Sequence, residues 1–219
     1  KLALVGHNGA GKSTFIKLVC RLYTPTEGAI YLDGINLQDW EYTELTKRLG
    51  VVFQDFNQYQ FTVRENVGLG NVAAMADEDR LLTAIKNGGA QSVLEELSKG
   101  LETQLGRWFN DGEELSGGQW QKIALARGFM RDNAEILILD EPTAALDAQA
   151  EQDVFDRFTQ LTKGKTSIVI SHRFPTVRMA DRILVIEKGR IVEQGSHDDL
   201  LVQKGVYAHL FQLQAKGYE

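Results

Sequence analysis

The chain has 219 residues, 43% of them hydrophobic and 25% charged, with a net charge of −6. Such a chain can bury a core, and its composition excludes intrinsic disorder, a fibrous repeat and a whole-domain electrostatic grip on nucleic acid. A single cysteine, Cys20, excludes an internal disulfide framework, and no apolar run reaches the ~18 to 20 residues of a membrane span, so a membrane role is expected to come through a partner or a segment outside these residues.

Lys1-Leu-Ala-Leu-Val5 reads as a buried strand that begins without lead-in or initiator methionine, so we expect the chain to be a piece of a longer protein. Gly6-His-Asn-Gly-Ala-Gly-Lys12-Ser13 follows it and fits G-x-x-x-x-G-K-[ST]. A strand before and a helix over Lys12–Leu22 after are the context of a phosphate-binding loop. A chance glycine-rich turn would not need that context. Backbone N–H groups of such a loop form an anion nest at a helix N-terminus. We expect Gly6, Asn8, Gly9, Ala10, Gly11, Lys12, Ser13 and Thr14 to hold a nucleotide. Lys12 would reach its β- and γ-phosphates, and the Ser13 hydroxyl would ligate Mg²⁺.

Strands are then expected at Ala29–Leu32 and Val51–Phe53, with a helix between them over Thr43–Arg48. Helices over Asp79–Ile85, Gln91–Leu97 and Gly117–Met130 follow. Ile136-Leu-Ile-Leu139 is apolar at every position, as a central strand covered on both faces would be. It ends in Asp140-Glu141, at the strand edge where open α/β sheets bind ligands. Asp140 is expected to hold Mg²⁺ and Glu141 to activate water. A helix over Ala148–Leu161 and strands at Ser167–Ile170, Ile183–Ile186 and Arg190–Gln194 come next. Gly189 turns the last two into a hairpin, and a final helix covers Val206–Leu213. This alternation predicts an α/β fold with a mostly parallel sheet. Cys20, Trp40 and Trp120 read as packing residues, and Trp108 as a candidate partner contact.

With Leu115-Ser-Gly-Gly-Gln119 and the helix Trp-Gln-Lys-Ile-Ala-Leu-Ala-Arg127 behind it, the chain resembles the ABC-type ATPases. The order supports this along the whole chain: phosphate loop, Gln54, Leu115–Gln119, Asp140-Glu141, Asp147, then Ser171-His172-Arg173. Thr62-Val-Arg-Glu-Asn66, Gly189–His197 and Tyr207–Phe211 resemble the exporter-type nucleotide-binding domains within it. The resemblance implies one ATP-binding domain over 1–219, with a P-loop NTPase core at about 1–54 and 116–219. Residues 55–115, where loops and short helices are densest, are expected to form the inserted α-helical subdomain, which the resemblance implies carries the signature motif. The first antiparallel strands, and an aromatic residue that stacks on adenine, would lie outside the chain.

The resemblance further implies ATP and Mg²⁺ as ligands and ATP hydrolysis that powers export. Glu141 would be the general base, His172 would contact the γ-phosphate, and Gln54 would sit near Mg²⁺ and the attacking water, with Ser13 and Asp140. Leu115, Ser116, Gly117, Gly118 and Gln119 would act in trans on a second nucleotide-binding domain, identical or not, in a head-to-tail dimer. Asp147 would tie the two sites together. The partner would be an exporter's transmembrane domain, fused or separate, at the cytoplasmic face of the cell membrane; the isolated chain would be soluble. No nucleic acid is expected. Relatives acting on DNA carry a long coiled coil between the motifs, and those acting on ribosomes carry two such domains; neither occurs here. A scaffold without catalysis would lack Glu141 or His172. One departure stands out. Exporters carry Thr-x-x-Gly-Glu-x-Gly before the signature, whereas this chain has Thr103-Gln-Leu-Gly106-Arg-Trp-Phe109, in a segment that would face the membrane domain.

Overall fold

The computed structural model describes residues 1–143, 148–171 and 173–216. They divide into two compact units. The first comprises Lys1–Leu49, Glu135–Glu141 and Lys165–Glu219, and the second Gly50–Ala134 and Pro142–Gly164.

The first unit is built on a sheet. Its strands are β1 (Leu2–Val5), β5 (Ile136–Asp140), β6 (Thr166–Ile170), β7 (Arg182–Glu187) and β8 (Arg190–Gly195). β4 (Leu49–Val52), where the chain passes into the second unit, is the edge strand of the order β4-β5-β6-β1-β7-β8. β5, β6, β1 and β7 run parallel, and β8 returns antiparallel to β7. All five residues of β5 are buried, as its unbroken apolar run requires. β2 (Tyr31–Leu32) and β3 (Ile35–Asn36) form a separate antiparallel pair. Their turn, Asp33-Gly34, and the β7–β8 turn, Lys188-Gly189, have both φ angles positive. Such turns match the twist of a two-residue hairpin and favour glycine.

Helices α1 (Lys12–Val19), α2 (Tyr42–Arg48), α8 (Phe174–Val177), α9 (His197–Gln203) and α10 (Val206–Lys216) complete this unit. α10 is anchored from the sheet: the Glu193 carboxylate on β8 accepts from the N–H groups of Val206 at 2.5 Å and Tyr207 at 3.0 Å. An anion at a helix start meets both the orphan donors and the dipole.

The second unit is helical, with α3 (Val63–Gly68), α4 (Glu78–Asn87), α5 (Gln91–Glu96), α6 (Gly117–Phe129) and α7 (Ala148–Leu161). Val63, Val67, Leu81, Ile85, Leu105, Trp120, Ile123 and Met130 share its buried core. α3, α6 and α9 each open with a capping box, in Thr62/Glu65, Ser116/Gln119 and Ser196/Asp199. The helix expected at Lys12–Leu22 stops at Val19, and the strand expected at Val51–Phe53 occupies Leu49–Val52. α3, α8, α9 and β3 have no counterpart among the sequence expectations.

Candidate nucleotide site

Strand register lines up the functional positions of the first unit. Asp140 on β5 and Leu4 on β1 both stand opposite Ile170 on β6. The chain leaves β1 at Gly6, β5 at Glu141 and β6 at Ser171, so all three exits lie at the carboxyl edge of one parallel sheet. In open α/β sheets this edge carries ligands.

Gly6 allows the loop to fold here. A β-carbon on it would lie 2.2 Å from the carbonyl oxygen of Ile186 on β7, a contact no side chain tolerates. The β7–β8 turn braces the loop from the same side, where the Gly189 N–H donates to the carbonyl of Ala10 at 2.9 Å. Gly11 is the N-cap of α1 and supplies no side-chain cap. The first-turn N–H groups of α1 thus lack the usual side-chain acceptor, which suits an anion.

Lys12 is 6% exposed, and its Nζ donates to the carbonyls of Gly6 at 2.8 Å and His7 at 3.1 Å. Burial pushes its pKa below the ordinary lysine value, and the negative charges of Glu141 and Asp140 pull it part of the way back. One buried cation thus faces two carboxylates at the strand edge. Asp140 is 2% exposed. Glu141 is partly buried, holds a left-handed φ of 49°, and donates its N–H to the carbonyl of Ile170 at 3.0 Å. Asn8, Gly9 and Thr14 are exposed, Ser13 is partly buried and Ala10 is buried. A cleft of ≈ 630 Å³ adjoins the loop, lined on one side by Val5, Gly6, His7 and Asn8 and on the other by Leu210 and Leu213 of α10.

These residues fit a nucleoside triphosphate with its magnesium. Among the described residues no cluster of three His, Cys, Asp or Glu side chains could hold a metal alone. A magnesium ion here would rest on Asp140, Ser13 and the nucleotide's own oxygens, which is how Mg²⁺ commonly binds with phosphates.

The second unit holds the other expected residues. Gln54 is exposed, two residues past β4. Leu115 is buried, Ser116 and Gly117 are exposed, and Gly118 and Gln119 are partly buried. Ser116 caps α6: its hydroxyl accepts from the Gln119 backbone N–H at 3.3 Å, while the Gln119 side-chain Oε1 accepts from the Ser116 N–H at 2.9 Å. Acting as an acceptor there leaves the Ser116 hydroxyl proton to donate. Asp147 and His172 lie outside the described residues. Sequence reasoning missed the Gly189–Ala10 brace; it joins residues far apart in the chain, and no local pattern marks it.

A P-loop over the edge of a parallel sheet, with a buried lysine facing an Asp-Glu strand end, defines a nucleotide-binding domain. Residues 1–144 match the family model described as ABC transporter. The subtilin transport ATP-binding protein SpaT of Bacillus subtilis is 44% identical, over 92% of this chain and 33% of its own length. The ATP-dependent lipid A-core flippase of Alcanivorax borkumensis is 41% identical, over 97% and 36%. A solved bacterial Atm1-family ABC exporter with ATP bound superposes with a TM-score of 0.90 at 38% identity, over 98% of this chain and 36% of its own. The chain spans about a third of the length of these relatives. It belongs to the ABC transporter family, as an ATP-binding, ATPase-type domain.

Proposed function

We propose that this chain is the ATP-hydrolysing motor of an exporter, working at the cytoplasmic face of a membrane with a transmembrane domain and a second nucleotide-binding domain. The observation that carries the reading is the buried Lys12 held at the loop while facing Asp140 and Glu141. Lys12 and the N-terminus of α1 bind and orient the phosphates. Ser13 and Asp140 hold Mg²⁺, which neutralises phosphate charge when bound. Glu141 takes the proton of the attacking water. Gln54 and His172 position that water, and Ser116 of the partner domain donates to the γ-phosphate. Asp147 links the paired sites. Relatives named as a lipid A-core flippase and as a subtilin transport ATP-binding protein support export as the use of that energy. No helix among the described residues is long and apolar enough to cross a membrane, so the substrate path is assigned to the transmembrane partner. Trp108 is 83% exposed and Phe109 51%, and they suit a contact with that partner.

Phosphate release from ATP, followed against magnesium concentration, tests the reading. Magnesium-dependent turnover is expected. ATP that binds but is never hydrolysed at any magnesium concentration overturns the motor role.

A further inference from the structure

Arg127 lies in the last turn of α6, the helix opened by Ser116. It is partly buried, and its acceptors are all uncharged. Nε donates to the Asn66 carbonyl at 2.8 Å, and one terminal nitrogen donates to Asn66 Oδ1 at 3.0 Å. The other donates to the Asn57 carbonyl at 3.1 Å. The cation also stands 4.7 Å from the ring centroid of Tyr59. Asn66 has no solvent exposure, and its Nδ2 donates to the carbonyls of Tyr59, Phe61 and Thr62 at 3.0, 3.2 and 3.1 Å. Every one of these contacts falls within residues 57–66, just downstream of Gln54.

Packing alone does not explain the arrangement. An apolar side chain would fill the space between α3 and α6 without burying a cation. The C-terminal turn of a helix favours a cation, but by only ~0.3–1 kcal/mol, and it asks for no particular direction. A rigid planar fork with three directed bonds and a stacked ring fixes orientation. Burial lowers the pKa of Arg127 below the ordinary arginine value, with the Tyr59 hydroxyl opposing, as expected of a group retained despite a desolvation penalty.

We propose that Arg127 and Asn66 form a positioning clamp that fixes the backbone of residues 57–62 to the signature helix, so that Gln54 and Ser116 move as parts of one body. The proposal rests on the reading of Gln54 as a residue beside Mg²⁺. The clamp touches neither nucleotide nor metal; it acts through the segment it holds.

The test uses Arg127→Lys in the full chain, which keeps the charge and loses the fork. Two measurements are made: amide hydrogen exchange of residues 57–62 without ligand, and the magnesium concentration for half-maximal ATP hydrolysis. Exchange in 57–62 should quicken. The magnesium requirement should rise roughly 10-fold, the lower end of what loss of a supporting partner costs a metal site. Affinity for ATP without magnesium should not change. Unchanged exchange in folded Arg127→Lys overturns the clamp. Faster exchange with an unchanged magnesium requirement overturns the positioning role and leaves a purely structural one. If Arg127→Lys fails to fold, Asn66→Asp is used instead: it keeps the acceptors of Arg127 while removing the Nδ2 donor that holds the carbonyls of Tyr59, Phe61 and Thr62, and it is read in the same way. A wild-type chain without turnover defeats the motor reading, while the exchange measurement still decides the clamp.

Discussion

Lys12 Nζ donates to the carbonyl oxygen of Gly6 at 2.8 Å, so the first helical residue after the loop closes back on the loop's first glycine. The ammonium is buried there at a cost that Asp140 and Glu141 only partly offset. Lys12→Met should therefore lower two properties. ATP affinity should fall roughly 10- to 150-fold, the equivalent of the ~1.5–3 kcal/mol of a charged hydrogen bond. Thermal stability without nucleotide should fall too, because the variant leaves the buried Asp140 without its cation and the Gly6 and His7 carbonyls without their donor. Calorimetric titration and a melting curve on one sample check both. Unchanged affinity would remove Lys12 from the phosphate site.

Glu141 follows Asp140 at the end of β5 in a left-handed conformation. Glu141→Gln keeps the side-chain length and much the same backbone cost while removing the base. Loss of a general base lowers rates by ~10² to 10⁴. Hydrolysis should drop by that factor with ATP still bound, and near-normal turnover would reassign the base. Glycine at 141 would be a poorer control, since it also changes the backbone preference.

Legibility followed distance along the chain. The loop Gly6–Ser13, the strand ending in Asp140 and the α6 start at Ser116 are local patterns, and each stands where its residues placed it. α3 and α9 were missed although Thr62/Glu65 and Ser196/Asp199 carry capping-box spacing. β3 was missed although Asp33-Gly34 is a hairpin turn signal. Those are readable signals left unread. The press of Ile186 on Gly6 and the grip of Arg127 on Asn57 join distant segments, and no window of sequence contains both partners.

The proposed trans arrangement makes Lys12 and Ser116 complementary between chains. Ser116 is exposed, with a hydroxyl that accepts within its own capping box and keeps its proton to donate. Ser116→Arg and Lys12→Ala should each abolish turnover alone. When the two variants are mixed, some pairs place both lesions in one site and leave the other intact. Partial recovery of phosphate release is expected. Mixed dimers that form without recovering activity rule out a composite site.

The last prediction concerns pH and the packing of α10. His197 Nδ1 and the Tyr207 hydroxyl share a hydrogen bond of 2.8 Å, and the Tyr207 and Phe211 rings meet the imidazole edge-on. Burial first, and then the Arg178 charge, lowers the His197 pKa from the ordinary 6.5, while Asp198 opposes. Burial also pushes Tyr207 up to about 12, so it stays protonated throughout. A folded pKa below the unfolded value means that the unfolded chain takes up the proton first. Stability from this group is then complete above about pH 6.5 and is lost as the pH falls toward the folded value. Leu210 and Leu213 of α10 line the cleft beside the loop, so loosening α10 would be felt at the nucleotide site. The melting temperature should drop between about pH 7.5 and about pH 5.5, by more in the wild type than in His197→Gln, which stays neutral and can still bond to Tyr207. ATP affinity should weaken over the same interval by more in the wild type than in His197→Gln, since protonation of the nucleotide's own terminal phosphate acts on both alike. Equal pH slopes in the two proteins would show that His197 does not govern the docking of α10.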